Sequence, residues 1–114
     1  MADCLFCRIV AGEIPATLVR DDELTLAFRD LNPQAPTHVL VIPKAHHRDV
    51  AALVAADPDA LAAVHRAAAA VAEQEAVVDR GWRLVFNTGP EAGQTVPHVH
   101  GHVLGGRHFG WPPG

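Results

Sequence analysis

Residues 97–106, PHVHGHVLGG, place a histidine at every second position just ahead of two glycines. Because side chains in an extended strand alternate between its two faces, this spacing predicts that His98, His100 and His102 share one face. Neighbouring rings on that face are about 7 Å apart by strand rise, which is close enough for them to surround one small ligand. Pro97 has no backbone N–H to offer a neighbouring strand, so we expect the strand to begin there.

Four other short segments have the composition of β-strands. They are rich in β-branched and apolar residues, and some alternate with polar ones. These segments are LTLAFRD (24–30), HVLVIP (38–43), WRLVFN (82–87) and a hairpin partner, TLVR (17–20). Together with the histidine segment they predict a sheet of about five strands.

One long helix is predicted between these strands. Asp57 followed by Pro58 is typical of a helix start, and apolar residues then recur with helical spacing up to about Asp79. The mixed order of strands and helix, with short connections early in the chain, favours an α+β fold with an antiparallel sheet. One or two short helices are expected beside the long one.

The composition is that of one globular domain, with 114 residues of which 49% are hydrophobic and 19% charged. Charged residues interrupt the alanine-rich stretch, so no membrane-spanning segment is predicted. No basic region precedes an apolar run at the N-terminus, as a secretory signal requires, and we therefore expect a cytoplasmic protein. The net charge of −4 and the scattered basic residues argue against nucleic acid as a partner.

The three alternating histidines leave several interpretations open. They can be exposed or core histidines, ligands of zinc or copper, or groups that bracket a phosphate. A hydrolytic metal centre usually needs a carboxylate near its water, and the chain has no Asp or Glu after Glu91. A neutral imidazole, by contrast, can itself attack phosphorus near neutral pH. The pattern therefore favours a histidine nucleophile.

Two cysteines form the motif CLFC at residues 4–7. Such a pair can be a redox couple, half of a zinc site or two small buried side chains. A redox CxxC normally belongs to a larger parallel-sheet pattern, which is missing upstream of Cys4, and a structural disulfide is disfavoured in the cytoplasm.

Three stretches together resemble one known family. GQTVPHVHGHVLGGR (93–107) resembles the HxHxHxx signature of the histidine triad (HIT) nucleotide-binding family. LNPQAPTHVLVIPKAH (31–46) and the terminal WPPG (111–114) are similar to its Hint branch, the purine nucleoside phosphoramidases. The resemblance runs from about residue 4 to residue 114, and implies a single HIT domain over residues 1–114 whose C-terminal tail covers about 106–114.

The resemblance implies a hydrolase that works without a catalytic cofactor. His100 takes the place of the histidine that attacks the α-phosphorus of a purine nucleoside 5′-phosphoramidate, giving a nucleotidyl-histidine that water hydrolyses. The residues that match catalytic positions are His100, His102, His38 and Thr95. The expected partner is a purine nucleotide, either AMP, GMP or their phosphoramidates.

The nucleotide contacts are also implied by the resemblance. Asp30 matches the acid that binds the ribose hydroxyls, and Trp111 in the tail would approach the site of a neighbouring subunit in a homodimer. Base contacts are expected from Leu31, Phe28 and Ile9, and contacts around the phosphate and leaving group from Asn87, Gly93 and Gln94.

Family members with an N-terminal cysteine pair resemble zinc-binding forms in which two histidines complete the site. The matching residues here are Cys4, Cys7, His46 and His98, with His47 as an alternative to His46. A closed Cys2His2 set of this kind would be a structural zinc site.

Other functions remain open beside the phosphoramidase. The chain can be a nucleotide-binding or scaffolding protein, a dinucleoside polyphosphate hydrolase, or a metal-dependent hydrolase that uses the triad as ligands. One position also departs from the family's pattern, since Gly101 stands where a bulky apolar residue is usual. We expect this to weaken packing on the reverse face of the strand or to let another group approach closely.

Overall fold

A computed structural model describes residues 3–114, which form three helices and five strands. In chain order the elements are α1 (Leu5–Val10), β1 (Leu18–Asp21), β2 (Thr25–Arg29), β3 (Thr37–Pro43), α2 (Val50–Ala56), α3 (Pro58–Gln74), β4 (Trp82–Phe86) and β5 (Gly101–Gly105). The strands make one antiparallel sheet in the order β1-β2-β3-β5-β4. The predicted α+β fold is therefore confirmed.

The central strand β3 is buried along its whole length, and its two faces pack into different apolar clusters. Val39 and Val41 belong to the core cluster that contains the buried residues of α3. Leu40 and Ile42 belong to a second cluster, which contains Phe6 of α1. The sheet thus separates a helix-covered core from a smaller apolar region under α1, and the histidine rings lie on the side of α1.

The long helix begins as predicted but ends earlier than expected. The Asp57 side chain accepts a hydrogen bond from the N–H of Ala60 at 3.1 Å, which caps the helix. The last helical residue is Gln74 rather than about Asp79, because Ala76 adopts a left-handed conformation with φ of 58°. This turn directs Val77 into the interior, where it is 5% exposed and packs against the position of Gly105.

The histidine strand also starts later than predicted. β5 begins at Gly101 and not at Pro97, because the segment before it bonds outside the sheet ladder. The N–H of Val99 donates to the carbonyl of His47 at 2.8 Å, and the carbonyl of His98 is used by a histidine ring. The alternation of faces nevertheless holds, since Val99 is buried in the α3 core.

Gly101 allows a close approach of the neighbouring strand. A Cβ atom at this position would lie 2.8 Å from Cδ1 of Leu84 and 3.1 Å from the ring of Phe86. Of the two expectations for this residue, the close approach is the one found in the structure. In residues 3–114, no helix combines the length and the apolar composition needed to cross a membrane.

Candidate functional site

A cavity between α1 and the open face of the sheet brings together most of the residues predicted to be catalytic or to bind the nucleotide. Its inner end is polar and its outer part is apolar. It is lined by Leu5, Phe6, Ile9, Ile14, Pro15, Ala16, Phe28, Arg29, Asp30, Leu31, Leu40, Thr95, Val96, His100 and His102. The cavity has a charged or titratable end next to an apolar slot, which is the arrangement expected of a small-molecule site.

His100 lies at the inner end of this cavity with one ring nitrogen already committed. Its Nδ1 is 2.8 Å from the carbonyl oxygen of His98, to which only an N–H can donate. The neutral ring therefore keeps its lone pair on Nε2. Burial lowers the pKa of His100, so the neutral and nucleophilic form is favoured near pH 7.

A second chain of hydrogen bonds fixes the tautomers of two further histidines. The backbone N–H of Gln34 donates to Nδ1 of His38 at 3.0 Å, so this ring carries its proton on Nε2. His38 Nε2 then donates to Nδ1 of His102 at 2.9 Å, which leaves the proton of His102 on its own Nε2. Within residues 3–114, that buried Nε2–H has no hydrogen-bond partner. His102 therefore presents a fixed, unpaired donor beside His100.

Burial also keeps this donor pair neutral. The pKa of His102 falls to about 4 because burial, and then the nearby His100 and His38 rings, disfavour the charged form. The pKa of His38 is lowered by burial, against the opposing effect of the Asp30 carboxylate, whose Oδ2 lies 3.4 Å from His38 Nε2. An unpaired N–H held in a low-dielectric site is suited to an oxyanion.

The same hydrogen bonds argue against a metal at the inner end. Asp30, His38 and His102 offer ligand atoms within 4.8 Å of one another. A metal would need the Nε2 lone pair of His38, which requires a proton on its Nδ1. That nitrogen already accepts the N–H of Gln34. A proton on it would therefore place two hydrogen-bond donors against each other.

The apolar part of the cavity lies where β2 and α1 meet. Phe28 is 4% exposed and contacts the Phe6 ring edge-on at a centroid distance of 5.4 Å. Ile9 lines the same wall, and Leu31 stands at the mouth with its side chain 99% exposed. An exposed leucine at the mouth of a slot with a buried aromatic wall is a surface that a planar ring can cover.

Four other predicted residues converge on a second site beside the first. His98 Nδ1 lies 3.3 Å from Sγ of Cys4, 3.5 Å from Sγ of Cys7 and 3.2 Å from Nδ1 of His46. Cys7 Sγ lies 3.4 Å from the same His46 nitrogen, and all four atoms fall within 4.8 Å of one another. The side chain of His47 is not a member of this set.

These separations fit a tetrahedral metal ion. Zinc bonds of about 2.3 Å to sulfur and about 2.0–2.1 Å to nitrogen give ligand-to-ligand distances of about 3.3–3.8 Å. The His98 ring is also oriented for this role, because its Nε2 donates to the carbonyl of Pro43 at 2.9 Å and leaves Nδ1 free. The four residues can therefore hold a metal, and we call this set the Cys/His centre.

The remaining predicted residues have other surroundings in the single chain. Asn87 and Trp111 line a groove along the edge strand β4, apart from the cavity, and Trp111 is 84% exposed. The amide nitrogen of Gln94 donates to the carbonyl of Arg48 at 2.7 Å, and its oxygen accepts the N–H of Gly89 at 3.0 Å. Gly93 has φ of 85° in the same loop. Gln94 therefore holds the loop that presents Thr95 to the cavity.

Sequence reasoning missed the contributions of α1 and of Gln34, and also six other lining residues of the cavity: Ile14, Pro15, Ala16, Arg29, Leu40 and Val96. Leu5 and Phe6 line the cavity from α1, and the helical spacing of Phe6 and Ile9 next to the cysteine pair is the signal that could have indicated them. Gln34 acts through its backbone N–H and not through its side chain, so its residue type could not have indicated this role.

Comparisons with known proteins agree with this architecture. The model of the HIT domain family matches residues 11–109. A crystal structure of a HIT family hydrolase from Legionella pneumophila superposes with a TM-score of 0.94 at 49% identity, covering 98% of this chain and 100% of that one. The 14 kDa zinc-binding protein of Zea mays is 47% identical, with 96% of this chain and 87% of the relative covered.

A third relative carries an enzyme's name. The purine nucleoside phosphoramidase of Escherichia coli K12 is 44% identical over 108 residues, which is 95% of this chain and 91% of the relative. The family match spans most of the chain, and these similarities extend over nearly all of it. The chain therefore belongs to the HIT domain family.

Proposed function

We propose that this protein hydrolyses purine nucleoside 5′-phosphoramidates through a covalent nucleotidyl intermediate on His100. The observation that carries the proposal is the pairing of a free Nε2 lone pair on His100 with an unpaired Nε2–H on His102 in one cavity. One atom can attack phosphorus, and the other can donate to the oxygens that gain charge. The similarity to the E. coli phosphoramidase supports the same class of substrate.

The reaction proceeds in two displacements at phosphorus. His100 Nε2 forms a bond to the α-phosphorus as the phosphorus–nitrogen bond of the substrate breaks, and the amine leaves after taking up a proton from the solvent. Water then attacks the same phosphorus, loses a proton to the solvent and breaks the bond to His100, which releases the nucleoside monophosphate and restores the neutral ring. No step in this sequence needs a metal ion.

Three neighbours stabilise the charged phosphate. His102 donates through Nε2, His38 holds His102 in the tautomer that allows this, and Thr95, which lines the same cavity, offers a side-chain hydroxyl as a further donor. Because His38 and the Nε2 atom of His102 are buried, the His102 donor acts in a low dielectric, where removing it typically costs about 10²–10³ in rate.

The nucleoside is bound beside the phosphate. Asp30 retains a partly exposed carboxylate that can accept hydrogen bonds from the two ribose hydroxyls. Phe28, Ile9 and Leu31 supply the apolar slot for the purine. Their position next to Asp30 supports the order base, ribose, phosphate from the mouth to the inner end.

Two further parts of the proposal concern the assembly. The Cys/His centre would hold a structural zinc ion, whose role when bound is to cross-link the residues that ligate it. We also propose a cytoplasmic homodimer, in which Trp111 approaches the partner's cavity. The exposure of Trp111, which lines a groove at the edge strand β4, supports this arrangement.

Trapping of the intermediate tests the function. Protein mixed with adenosine 5′-phosphoramidate and quenched at high pH should carry an adenylyl mass on the peptide that contains residue 100. His100→Asn should abolish both adduct and turnover, while His65→Asn, on the exposed face of α3, should change neither. Adduct on a peptide without residue 100, or turnover by His100→Asn, would refute the proposal.

The same assay separates the alternative functions. A nucleotide-binding or scaffolding protein would show AMP binding without adduct or turnover. A dinucleoside polyphosphate hydrolase would turn over diadenosine polyphosphates faster than the phosphoramidate. A hydrolase with the triad as metal ligands would lose kcat on treatment with a chelator, whereas the proposed mechanism keeps kcat within a few-fold.

A further inference from the structure

The short helix α1 faces both sites at once. Cys4 and Cys7, one at its N-cap and one inside it, belong to the Cys/His centre. Leu5, Phe6 and Ile9 of the same helix line the cavity. Any movement of α1 therefore changes the metal-binding set and the nucleotide slot together.

This helix has little stability of its own. It contains six residues, and isolated helices shorter than about 12–15 residues are marginal in water. Its first turn has no acidic residue, and its cap is the Sγ of Cys4, which accepts the N–H of Cys7 at 3.3 Å. The ion pair between Arg8 and Glu13 is solvent-exposed on both sides and adds little. The position of α1 thus depends on its burial and on the Cys/His centre.

Phe6 connects the helix to the reacting histidine. Its ring lies edge-on to His100 at a centroid distance of 5.0 Å, and to His98 at 5.9 Å. Phe6 is 4% exposed, so this contact is part of the interior and not of a mobile surface. One of the two residues between the cysteines therefore packs directly on the nucleophile.

His98 provides a second connection. Its Nδ1 lies among the ligand atoms of the Cys/His centre, while its backbone carbonyl accepts the Nδ1–H of His100. The ring is fully buried, and its Nε2 is held by Pro43. One residue thus joins the metal-binding set to the hydrogen bond that fixes the tautomer of His100.

We propose that metal occupancy of the Cys/His centre controls nucleotide affinity by holding α1 against the cavity. The inference rests on the proposed function for its ligand, a purine nucleotide. With the metal bound, Cys4 and Cys7 are tied to His98, and Phe6 and Ile9 complete the slot. Without it, α1 opens part of the time, and the apparent association constant equals that of the closed form multiplied by the fraction of molecules that remain closed.

Backbone hydrogen exchange and AMP binding together test this coupling. The protein is compared loaded with Zn²⁺, stripped by a chelator and reloaded. In the stripped form the amides of Arg8 and Ala11, which bond to the carbonyls of Cys4 and Cys7, should lose protection, while those of β3 keep it. AMP affinity measured by calorimetry should weaken roughly tenfold, as expected if α1 is closed in about a tenth of the molecules, and recover on reloading.

A matched pair of variants assigns the effect to the ligand set. His46→Ala removes one member of the Cys/His centre and should reproduce the stripped form even with Zn²⁺ present. His47→Ala removes the adjacent ring but retains the backbone carbonyl bonded to Val99, and should behave as the unaltered protein. If His46→Ala does not fold, the stripped and reloaded protein decides the matter.

Several results would overturn the inference. Unchanged AMP affinity and exchange after stripping would show that the metal does not hold α1. Loss of protection throughout β3 as well would show a general structural role and no local control. Metal-dependent AMP binding without phosphoramidate hydrolysis would refute the proposed reaction alone, whereas hydrolysis with metal-independent affinity would refute this inference alone. Failure of the loaded protein to bind AMP would refute both.

Discussion

Arg29 and Glu75 form a two-pronged ion pair that ties the edge of the cavity to the end of α3. Their nitrogen–oxygen distances are 2.8 and 3.0 Å, and Arg29 also lines the cavity. The Glu75 side chain is 13% exposed whereas that of Arg29 is 44% exposed, so solvent screens the pair in part. It joins β2 to the residue at which the long helix stops, and is therefore a tertiary contact and not a helix-surface pair.

Replacing Glu75 by Gln should lower the free energy of unfolding by about 1 kcal/mol, the upper range for a partly exposed ion pair. The hydrogen bonds from Arg29 hold the pKa of Glu75 below its ordinary value of 4.5. Because the folded pKa is depressed, this stabilisation is present above pH 4.5 and is lost as the pH falls through the folded value. Urea titrations at pH 7 and pH 3.5 test this. An equal loss in the variant at both pH values would contradict it.

The pH dependence of stability should also report on His102. Its pKa is about 4 in the folded chain and 6.5 as an ordinary histidine, so the unfolded state binds more protons between these values. Stability should therefore fall on acidification from pH 6.5 to 4, by up to about 1.4 kcal/mol per pH unit for this group. His102→Asn should show a smaller slope in urea titrations over that range. An unchanged slope would mean that His102 is not held neutral by burial.

The tautomers of three histidines can be observed directly. The hydrogen bonds predict a proton on Nδ1 of His100, and on Nε2 of both His38 and His102. Long-range proton–nitrogen NMR spectra at pH 7 distinguish these forms by the nitrogen shifts. Observation of the Nδ1–H form of His38 would contradict the chain that starts at Gln34, and would reopen the possibility of a metal at the inner end of the cavity.

Gly105 marks a place where a methyl group does not fit. A Cβ there would lie 2.8 Å from Cγ1 and 2.9 Å from Cβ of Val77, so Gly105→Ala should destabilise the fold by about 1–3 kcal/mol. Gly110→Ala is the matched control, since a Cβ at that position has open space around it. Thermal unfolding gives the comparison. Equal stability of Gly105→Ala and Gly110→Ala would contradict the close contact with Val77.

Local patterns in the chain predicted the five strands, the long helix and the family, but not the end of α3 or the start of β5. Strand alternation and the Asp57–Pro58 helix start depend on neighbours in sequence, and the sheet of five strands confirms them. The HxHxH spacing and the two other stretches indicated the HIT family, which the comparisons confirm. The predicted end of α3 was wrong. The helix stops before Val77, which packs against Gly105, and no local helix signal in the sequence indicates this contact.

The sequence, through its motifs and the family that they resemble, indicated a HIT fold, a histidine with the chemistry of a nucleophile, and a set of cysteines and histidines that could hold one metal ion. Only the tertiary structure decided that His46 and not His47 lies in that set, that Gln34 sets the tautomer of His38, and that Phe6 contacts His100. The physical reason is that periodicity is a property of adjacent residues, whereas proton positions and ligand sets depend on atoms brought together from distant parts of the chain.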